Sequence, residues 1–168
     1  MPKDKQVPPP NQPTFQIQNI YLKDVSFESV RTPGFFQQKK AWQPVINVNL
    51  NTKIDKLEDN VFDVTLTVTL DIKQDDKAVM LVEVKQAGVF VLKNFATDAL
   101  NAALNGHCPT ILFPYVRAVT TDMITKGGFP AIMLDPVNFD AIYYEQQKRQ
   151  SANTKNSKQN APTTKTKQ

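Results

Sequence analysis

The sequence predicts an α+β fold, and two features of its apolar pattern indicate this class. Four segments between residues 14 and 93 alternate apolar and polar residues with a period of two, as half-buried strands do. After residue 93 the apolar residues recur with the period of 3.6 that marks amphipathic helices. Because four strands come first and two or three helices follow, we expect a sheet packed against helices.

Residues 61–92 predict a long antiparallel hairpin. In its first half, VFDVTLTVTLDIK, the apolar side chains share one face and Asp, Thr and Lys share the other. QDDK at 74–77 has the composition of a turn, and AVMLVEVKQAGVFVL then returns. WQPVINVNLNTKI, from Trp42, predicts a further strand. In the first segment, FQIQNIYLKDVSFES, the apolar residues switch twice between odd-numbered and even-numbered positions. This predicts bulges or bends near Asn19 and Lys23.

Three segments after the strands have helical spacing. NFATDALNAALNG carries an apolar stripe, and Gly106 occupies the position of a glycine that ends a helix. Pro109 suits the first position of a long second helix that ends at residues 126–128, and Pro114 must lie near its first turn or bend it. DPVNFDAIYYEQQKRQ predicts a short third helix capped by Asp135.

The positive charge of the chain is concentrated at its ends. The 168 residues include 20 Lys and Arg and 16 Asp and Glu, yet residues 145–168 hold six of the bases and one acid. Both ends are rich in Pro, Gln, Asn, Lys and Thr, so we expect disordered tails at 1–13 and 148–168 around one folded domain at 14–147. The basic tail lacks interleaved aromatic residues, which favours a solubilising role over nucleic-acid binding.

The sequence contains no catalytic, metal or cofactor motif. His107 is the only histidine and Cys108 the only cysteine, which is too few ligands for a zinc site and leaves no partner for an internal disulfide. The five glycines form neither a phosphate-binding loop nor a dinucleotide motif. Asp75 and Asp76 are expected in a hairpin turn, where solvated acids are common. We therefore expect a protein that is not an enzyme and needs no cofactor.

Three features predict a cytoplasmic protein. No apolar run of about 18 residues or more is present, so insertion into a membrane is not expected. The N-terminal stretch MPKDKQVPPPNQPTFQ has no apolar core of a signal peptide. A single cysteine fits a reducing compartment.

The beginning of the long predicted helix is more apolar than one sheet requires. TILFPYV, residues 110–116, is apolar on every side, and a single protomer cannot bury all of these side chains against one face of a small sheet. We therefore expect the surplus face to contact another chain in an obligate oligomer.

An irregular connection, VRTPGFFQQKKAWQP at residues 30–44, carries three aromatic residues, Phe35, Phe36 and Trp42. Two interpretations are open. The rings can fill the protein's own core, or they can line an apolar groove of the kind that binds extended or helical peptides. The residues by themselves therefore predict an oligomeric α+β binding module.

Five motifs resemble the SecB family of bacterial protein-export chaperones. They are FQIQNIYLKDVSFE at 15–28, WQP at 42–44, CPTILFPYVR at 108–117, GGFP at 127–130 and PVNFDA at 136–141. The resemblance covers residues 15–146 in order. It implies a four-stranded antiparallel sheet followed by a long helix and a short C-terminal helix. It also implies a homotetramer, a dimer of dimers whose helices lie between two eight-stranded sheets.

The resemblance further implies a function. The protein would be an ATP-independent chaperone that holds newly made precursor proteins unfolded and delivers them to the export ATPase SecA. A chaperone that binds only unfolded chains acts by mass action, which fits the missing phosphate loop. Some relatives serve toxin–antitoxin systems, and this alternative stays open.

The resemblance also implies three groups of site residues. The client-binding groove would contain Phe35, Phe36 and Trp42, with Phe139 and Tyr143 as neighbours. The zinc-containing C-terminal tail of SecA would dock on Asp24, Glu28, Leu81 and Glu83. The oligomer interface would include Val82, Val84, Gln86, Ile111, Leu112 and Phe113. The docking residues are four apart on one strand and two apart on the other, so each pair shares a sheet face where its strand is regular.

Overall fold

One antiparallel sheet of four strands forms the body of the protein. The structure, a computed structural model, describes residues 11–159, the last eight of them by their backbone alone. The strands are β1 (Thr14–Ser29), β2 (Val45–Glu58), β3 (Val61–Gln74) and β4 (Lys77–Lys93), and a 3₁₀ turn, Gly34–Gln37, lies between β1 and β2. The order across the sheet is β1-β4-β3-β2. The predicted α+β fold, with four strands before the helices, is confirmed.

Two bulges in β1 keep its apolar residues on one side of the sheet. The pairing with β4 shifts between Ile17 and Asn19 and again between Leu22 and Asp24, which confirms the two irregularities predicted near Asn19 and Lys23. Each shift marks one extra residue in β1. After it, odd-numbered residues lie on the side of the sheet where even-numbered residues lay before it. Phe15 before the first bulge, Ile20 between the bulges, and Val25 and Phe27 after the second therefore all pack against the core.

β3 and β4 form the predicted hairpin around a turn of two residues. Asp75 and Asp76 have positive φ angles of 53° and 57°, the type I′ geometry that matches the twist of paired strands. β3 lies between β4 and β2 and supplies the centre of the core. Every second residue from Val64 to Ile72 is at most 1% exposed, so the alternation of the sequence marks the buried face.

The helical segment after the sheet runs without a break from residue 97 to residue 126. It consists of α1 (Thr97–Ala102), one π-helical turn (Ala103–His107) and α2 (Cys108–Lys126). The prediction that Gly106 ends a helix is wrong, because the π turn runs through it, whereas Pro109 lies in the first turn of α2 as predicted. The wide π turn accommodates Pro109, because a proline lacks the N–H and its ring crowds the carbonyl four residues earlier. Gly106 instead permits close packing, since a Cβ there would contact the side chain of Asp140.

One side of α2 covers β3 and β4. The buried positions recur every four residues and are at most 1% exposed: Cys108, Leu112, Val116, Thr120 and Ile124. Pro114 lies within the helix on the exposed side, where its ring meets solvent. The sheet and α2 thus enclose one hydrophobic core.

An extended connection, residues 127–138, leads from α2 to α3 (Phe139–Gln159). The predicted cap at Asp135 is wrong, because the backbone N–H of Ala141 donates to Asn138 Oδ1 at 3.0 Å and Asn138 caps the helix. α3 is 21 residues long and continues through residues 148–159, where the sequence predicts disorder. Residues 1–10 and 160–168 lie outside the described part of the chain, so the limits of the two tails stay predictions.

Candidate functional site

Four aromatic rings pack together where the connection between β1 and β2 meets the end of α2. The ring centre of Phe35 is 5.4 Å from that of Trp42 and 5.3 Å from that of Phe129. Phe36 lies on the outside, with its ring centre 5.1 Å from Phe129. Phe129 is buried, whereas half of Phe36 is exposed. We call this cluster the aromatic pocket; it has a buried base and an open rim.

The aromatic pocket is a cavity of about 210 Å³ that opens to solvent. Phe35 and Trp42 are partly buried and pack on the hydrophobic core, while Phe36 is 50% exposed. Two of the three rings thus fill the core, and the third lines a surface, where peptide binding stays a prediction. An exposed ring above a buried aromatic base is a surface that an apolar side chain of another polypeptide can cover.

The end of β3 holds the loop that carries Trp42. Gln74 accepts the backbone N–H of Gln43 at 3.2 Å and donates to the carbonyl oxygen of Ala41 at 3.3 Å. Gln74 is 5% exposed, and a hydrogen bond in such a buried place is costly to break. Trp42 is therefore fixed relative to the sheet, which makes the wall of the aromatic pocket preformed.

Phe129, the base of the aromatic pocket, is not indicated by the periodicity of the sequence. The signal for it lies in the GGFP motif, where two glycines precede the ring. Gly128 has a φ of 86°, and a Cβ added there would lie 3.1 Å from the ring of Phe36. Glycine at this position therefore allows both the turn of the chain and the approach of Phe36 to Phe129.

The predicted neighbours Phe139 and Tyr143 do not lie in the aromatic pocket. Phe139 is 4% exposed and packs against Phe113, with ring centres 5.6 Å apart. Together with Tyr143 it lines a smaller cavity of about 100 Å³ between α3 and Leu50 in the middle of β2. About six residues of strand, roughly 20 Å, separate this cavity from the aromatic pocket. The structure thus divides the predicted groove residues into two groups along β2.

The sheet face opposite the helices, which we call the open sheet face, carries the four residues predicted to dock SecA. Asp24 and Glu28 of β1 lie on this face with Leu81 and Glu83 of β4, because the pairing does not shift between residues 24 and 28. Leu81 lies directly opposite Glu28 and is 42% exposed. The shared face predicted from the spacing is confirmed, and the docking role stays a prediction.

Lys85, which the sequence does not single out, lies between two of these carboxylates. Its Nζ is 3.3 Å from Asp24 Oδ2 and 3.1 Å from Glu83 Oε1. The hydroxyl of Thr69 donates to the other oxygen of Glu83 at 3.1 Å. The hydrogen bonds of Lys85, first to Glu83 and then to Asp24, raise its pKa. Within residues 11–159 no ion pair involves Glu28.

A second polar cluster on the open sheet face ties β1 to β3. Asp63 is 6% exposed and accepts hydrogen bonds from the hydroxyl of Tyr21 at 3.0 Å and from Nζ of Lys23 at 2.9 Å. Lys23 also donates to Thr65 at 3.2 Å. Burial and then the bond to Asp63 raise the pKa of Tyr21, and the bond to Asp63 raises the pKa of Lys23. Tyr21 and Lys23 lie three residues and one residue before Asp24, so the cluster holds this part of β1 close to the docking residues.

The residues predicted for the oligomer interface are mostly buried inside the protomer. Five of them are at most 5% exposed and belong to the core formed with α2: Val82, Val84, Gln86, Leu112 and Phe113. Ile111 is partly buried. Side chains with so little exposure present little surface to a second chain, and their interface role stays a prediction.

The surplus apolar surface of α2 lies on the side of the helix that faces away from the sheet. Tyr115 is 48% exposed and Met133, in the connection after α2, is 74% exposed. With Pro114, Ala118 and other residues of this side, Met133 lines an open cleft of about 480 Å³. The apolar excess predicted for the helix is therefore present, but at Pro114, Tyr115 and Ala118 rather than at the buried positions.

Residues 11–159 contain neither the side-chain grouping of a metal centre nor a helix suited to span a membrane. In this range no group of three or more His, Cys, Asp and Glu side chains is close enough to hold a metal ion. Cys108 is buried, and desolvation raises the pKa of its thiol to about 12. None of the helices in the described part of the chain is long and apolar enough to cross a membrane.

The fold and these surfaces define a class of protein, an α+β protein with an aromatic pocket on the helix side of its sheet and an acidic, partly apolar patch on the open sheet face. The family of the preprotein translocase subunit SecB matches residues 9–150. The chain belongs to the SecB family. The resemblance carried by the five sequence motifs is thereby confirmed.

Relatives of known name match most of the chain. The protein-export protein SecB of Hahella chejuensis is 49% identical over 143 residues, 85% of this chain and 89% of the relative. That of Nitrosococcus oceani is 46% identical over 142 residues, 84% and 87% of the two chains. A solved structure, a SecB-like chaperone of Mycobacterium tuberculosis in complex with an antitoxin peptide, has a TM-score of 0.61 and 19% identity. It covers 73% of this chain and 90% of its own, and at this identity it shows the fold alone.

Proposed function

We propose that this chain is a protein-export chaperone that binds unfolded precursor proteins and keeps them competent for export. Its family and the two relatives at 46% and 49% identity, each named as a protein-export protein, support this function. The structure with an antitoxin peptide is only 19% identical to this chain. The identities therefore favour export over a toxin–antitoxin role.

The observation that carries the proposal is the half-exposed ring of Phe36 above the buried ring of Phe129. An apolar side chain that covers this surface gains about 25 cal/mol for each Å² removed from water. A folded protein keeps such side chains buried and cannot make the contact. Unfolded chains are therefore bound selectively, and their folding is delayed by mass action without ATP.

The smaller cavity at Phe139 and Tyr143 is proposed as a second contact for the same client. Both cavities lie on the helix side of β2, and a separation of roughly 20 Å corresponds to about six residues of extended chain. Each contact is weak on its own. Several contacts on one oligomer that engage one long client gain through effective concentration. This mode of action requires no catalytic residue and no cofactor, and we assign it to the cytoplasm, where precursors await export.

Delivery to SecA is proposed to use the open sheet face. The exposed side chain of Leu81 offers an apolar contact, and the carboxylates of Asp24, Glu28 and Glu83 complement a cationic peptide. The partner that the family resemblance implies is the zinc-containing C-terminal tail of SecA. Exposed charges are screened within about 8 Å at physiological ionic strength, so this contact should be modest and should weaken as salt rises.

A homotetramer, a dimer of dimers, is the proposed assembly. Ile17 and Leu22 of the edge strand β1 are 40% and 45% exposed, although their strand partners belong to the buried side of the sheet. Tyr115 and Met133 leave apolar surface exposed beside α2. Both surfaces are covered if two sheets join edge to edge at β1 and the dimers meet through α2. The other edge, β2, then stays free beside the two client cavities.

The experiment that tests this function has a client arm and a SecA arm. The protein should suppress aggregation of a slow-folding precursor that bears its signal peptide, without nucleotide, as followed by light scattering. Calorimetry should detect binding of the zinc-loaded SecA tail, and Asp24→Lys or Glu83→Lys should abolish it without affecting the client arm. Undiminished aggregation would contradict the chaperone function. Normal binding by both variants, or indifference to salt, would contradict the docking site alone.

A further inference from the structure

The open sheet face carries a cation inside the acidic patch. Lys85 lies directly opposite Asp24 in the pairing of β1 with β4, and Glu83 lies two residues before it on the same face. The Nζ atom is 3.3 Å from a carboxylate oxygen of Asp24 and 3.1 Å from one of Glu83. One side chain of the protein thus contacts two of the three carboxylates proposed to receive a cationic partner.

We propose that Lys85 is an internal competitor that occupies the acidic half of the docking site and sets its affinity for the cationic tail of SecA. This inference rests on the proposed docking function. A lysine or arginine of the partner cannot take the same place on Asp24 and Glu83 until Lys85 leaves. Lys85 can leave, because its side chain is 37% exposed and ion pairs at exposed positions are weak.

The two halves of the docking site therefore act differently. Glu28 and the exposed side chain of Leu81 face each other across the strands, and no ion pair within residues 11–159 involves Glu28. This half is open to a partner at once. Asp24 lies four residues from Glu28, roughly 13 Å along the strand, and its half opens only when Lys85 is displaced. A partner with two cations, one positioned at each half of the docking site, should therefore bind more tightly than a partner with a single cation.

The chain offers a control in Lys56. Its Nζ is 2.8 Å from Asp59 Oδ1, so it is also a lysine paired with a carboxylate. Thr67 is the β3 partner of Lys85, and Phe62, the β3 partner of Lys56, lies five residues away along β3, roughly 17 Å. That distance exceeds the screening length of about 8 Å at physiological ionic strength. Lys56→Gln and Lys85→Gln remove the same charge, but only Lys85→Gln frees Asp24 and Glu83.

The test is calorimetric titration of the full-length protein with the zinc-loaded SecA tail at two salt concentrations. Lys85→Gln should bind the tail about three- to tenfold more tightly than the wild type, the range expected from two exposed ion pairs. Its affinity should also fall more steeply with salt, because two more carboxylates then contact the partner directly. Lys56→Gln should stay within about twofold of the wild type.

A double substitution separates competition from other effects of Lys85. In a Glu83→Gln background, Lys85→Gln should gain less affinity, since one of the carboxylates that it frees is absent. No gain for Lys85→Gln, or the same gain for Lys56→Gln, would overturn the inference. If the wild type binds, Glu83→Lys abolishes binding and Lys85→Gln changes nothing, then only the inference fails. If neither the wild type nor any variant binds the tail, the docking site and the inference both fail.

Discussion

Truncation of Phe36 to alanine removes the exposed rim of the aromatic pocket. A phenylalanine side chain buries roughly 200 Å² when fully covered, and Phe36 is 50% exposed, so about 100 Å² remains for a client. At about 25 cal/mol per Å², covering this area contributes at most about 2.5 kcal/mol, or roughly 60-fold in affinity. Ordering the client offsets part of this gain. We therefore expect Phe36→Ala to weaken the binding of one client segment about 5- to 20-fold.

The assay is fluorescence anisotropy with a short, labelled, apolar peptide, so that a single contact is measured without the gain from several pockets. Tyr144→Ala is the matched control, because Tyr144 is a 55% exposed aromatic residue on α3 and does not line the aromatic pocket. Oligomer mass and the thermal midpoint are recorded for both variants, since Phe36 also contacts Phe35 and Phe129.

Equal affinity of the wild type and Phe36→Ala would refute the reasoning and leave Phe36 with a packing role alone. An equal loss for Tyr144→Ala would show that the effect does not depend on the aromatic pocket. If Phe36→Ala lowers the oligomer mass, the affinity of Phe36→Leu is measured instead, because leucine retains apolar surface at the rim. That variant should keep most of the affinity.

Two further predictions concern stability. A Cβ at Gly127 would contact the ring of Phe27, so Gly127→Ala should lower the free energy of unfolding by about 1–3 kcal/mol. Gly34→Ala meets no atom within 4 Å and should change it by less than about 1 kcal/mol; equal losses in urea unfolding would contradict this packing. The pKa of Lys23 is raised above 10.5, so the stabilisation from its bond to Asp63 is complete below pH 10.5 and is lost as the pH rises through the folded-state pKa. Above pH 10.5 the wild type should lose stability more steeply than Lys23→Met, and parallel curves would count against the bond.

The sheet could be predicted from the sequence because strand side chains alternate between a buried and an exposed face. That alternation is visible in β3 without any knowledge of its neighbours. The reversals of parity in β1 located both bulges, at Gln18 and Lys23, for the same reason. A bulge changes which residues face the core, and the apolar residues record the change directly in the order of the chain.

The ends of the helices could not be predicted as well, because they depend on contacts between distant residues. Gly106 carries the local signal of a helix end, yet helical backbone continues through it and directly into α2, where Pro109 lies in the first turn. The glycine is needed for the approach of Asp140, which lies 34 positions later in the chain. The end of α3 is a different case, since its second half has few apolar residues and its sequence is typical of a disordered tail.

One part of the candidate site could likewise be predicted from the sequence, and another part could not. The placement of Asp24 and Glu28 on one face followed from their spacing, because their part of β1 is regular. The position of Lys85 between Asp24 and Glu83 required the register of β1 against β4, which no local pattern contains. Phe129 likewise became part of the aromatic pocket only because the connection after α2 returns to the loop before β2.

The spatial order of the strands also has a consequence for synthesis on the ribosome. Thr14, the first residue of β1, pairs with Lys93, the last residue of β4. A ribosome adds roughly 5–20 residues per second, so about 4 to 16 s pass after the synthesis of β1 before β4, its neighbour in the described sheet, is complete. β2 and β3 are adjacent in the chain and pair earlier. During that interval a long strand edge of the nascent chain stays unpaired, so the folding of this protein includes the same exposed stage that it is proposed to protect in its clients.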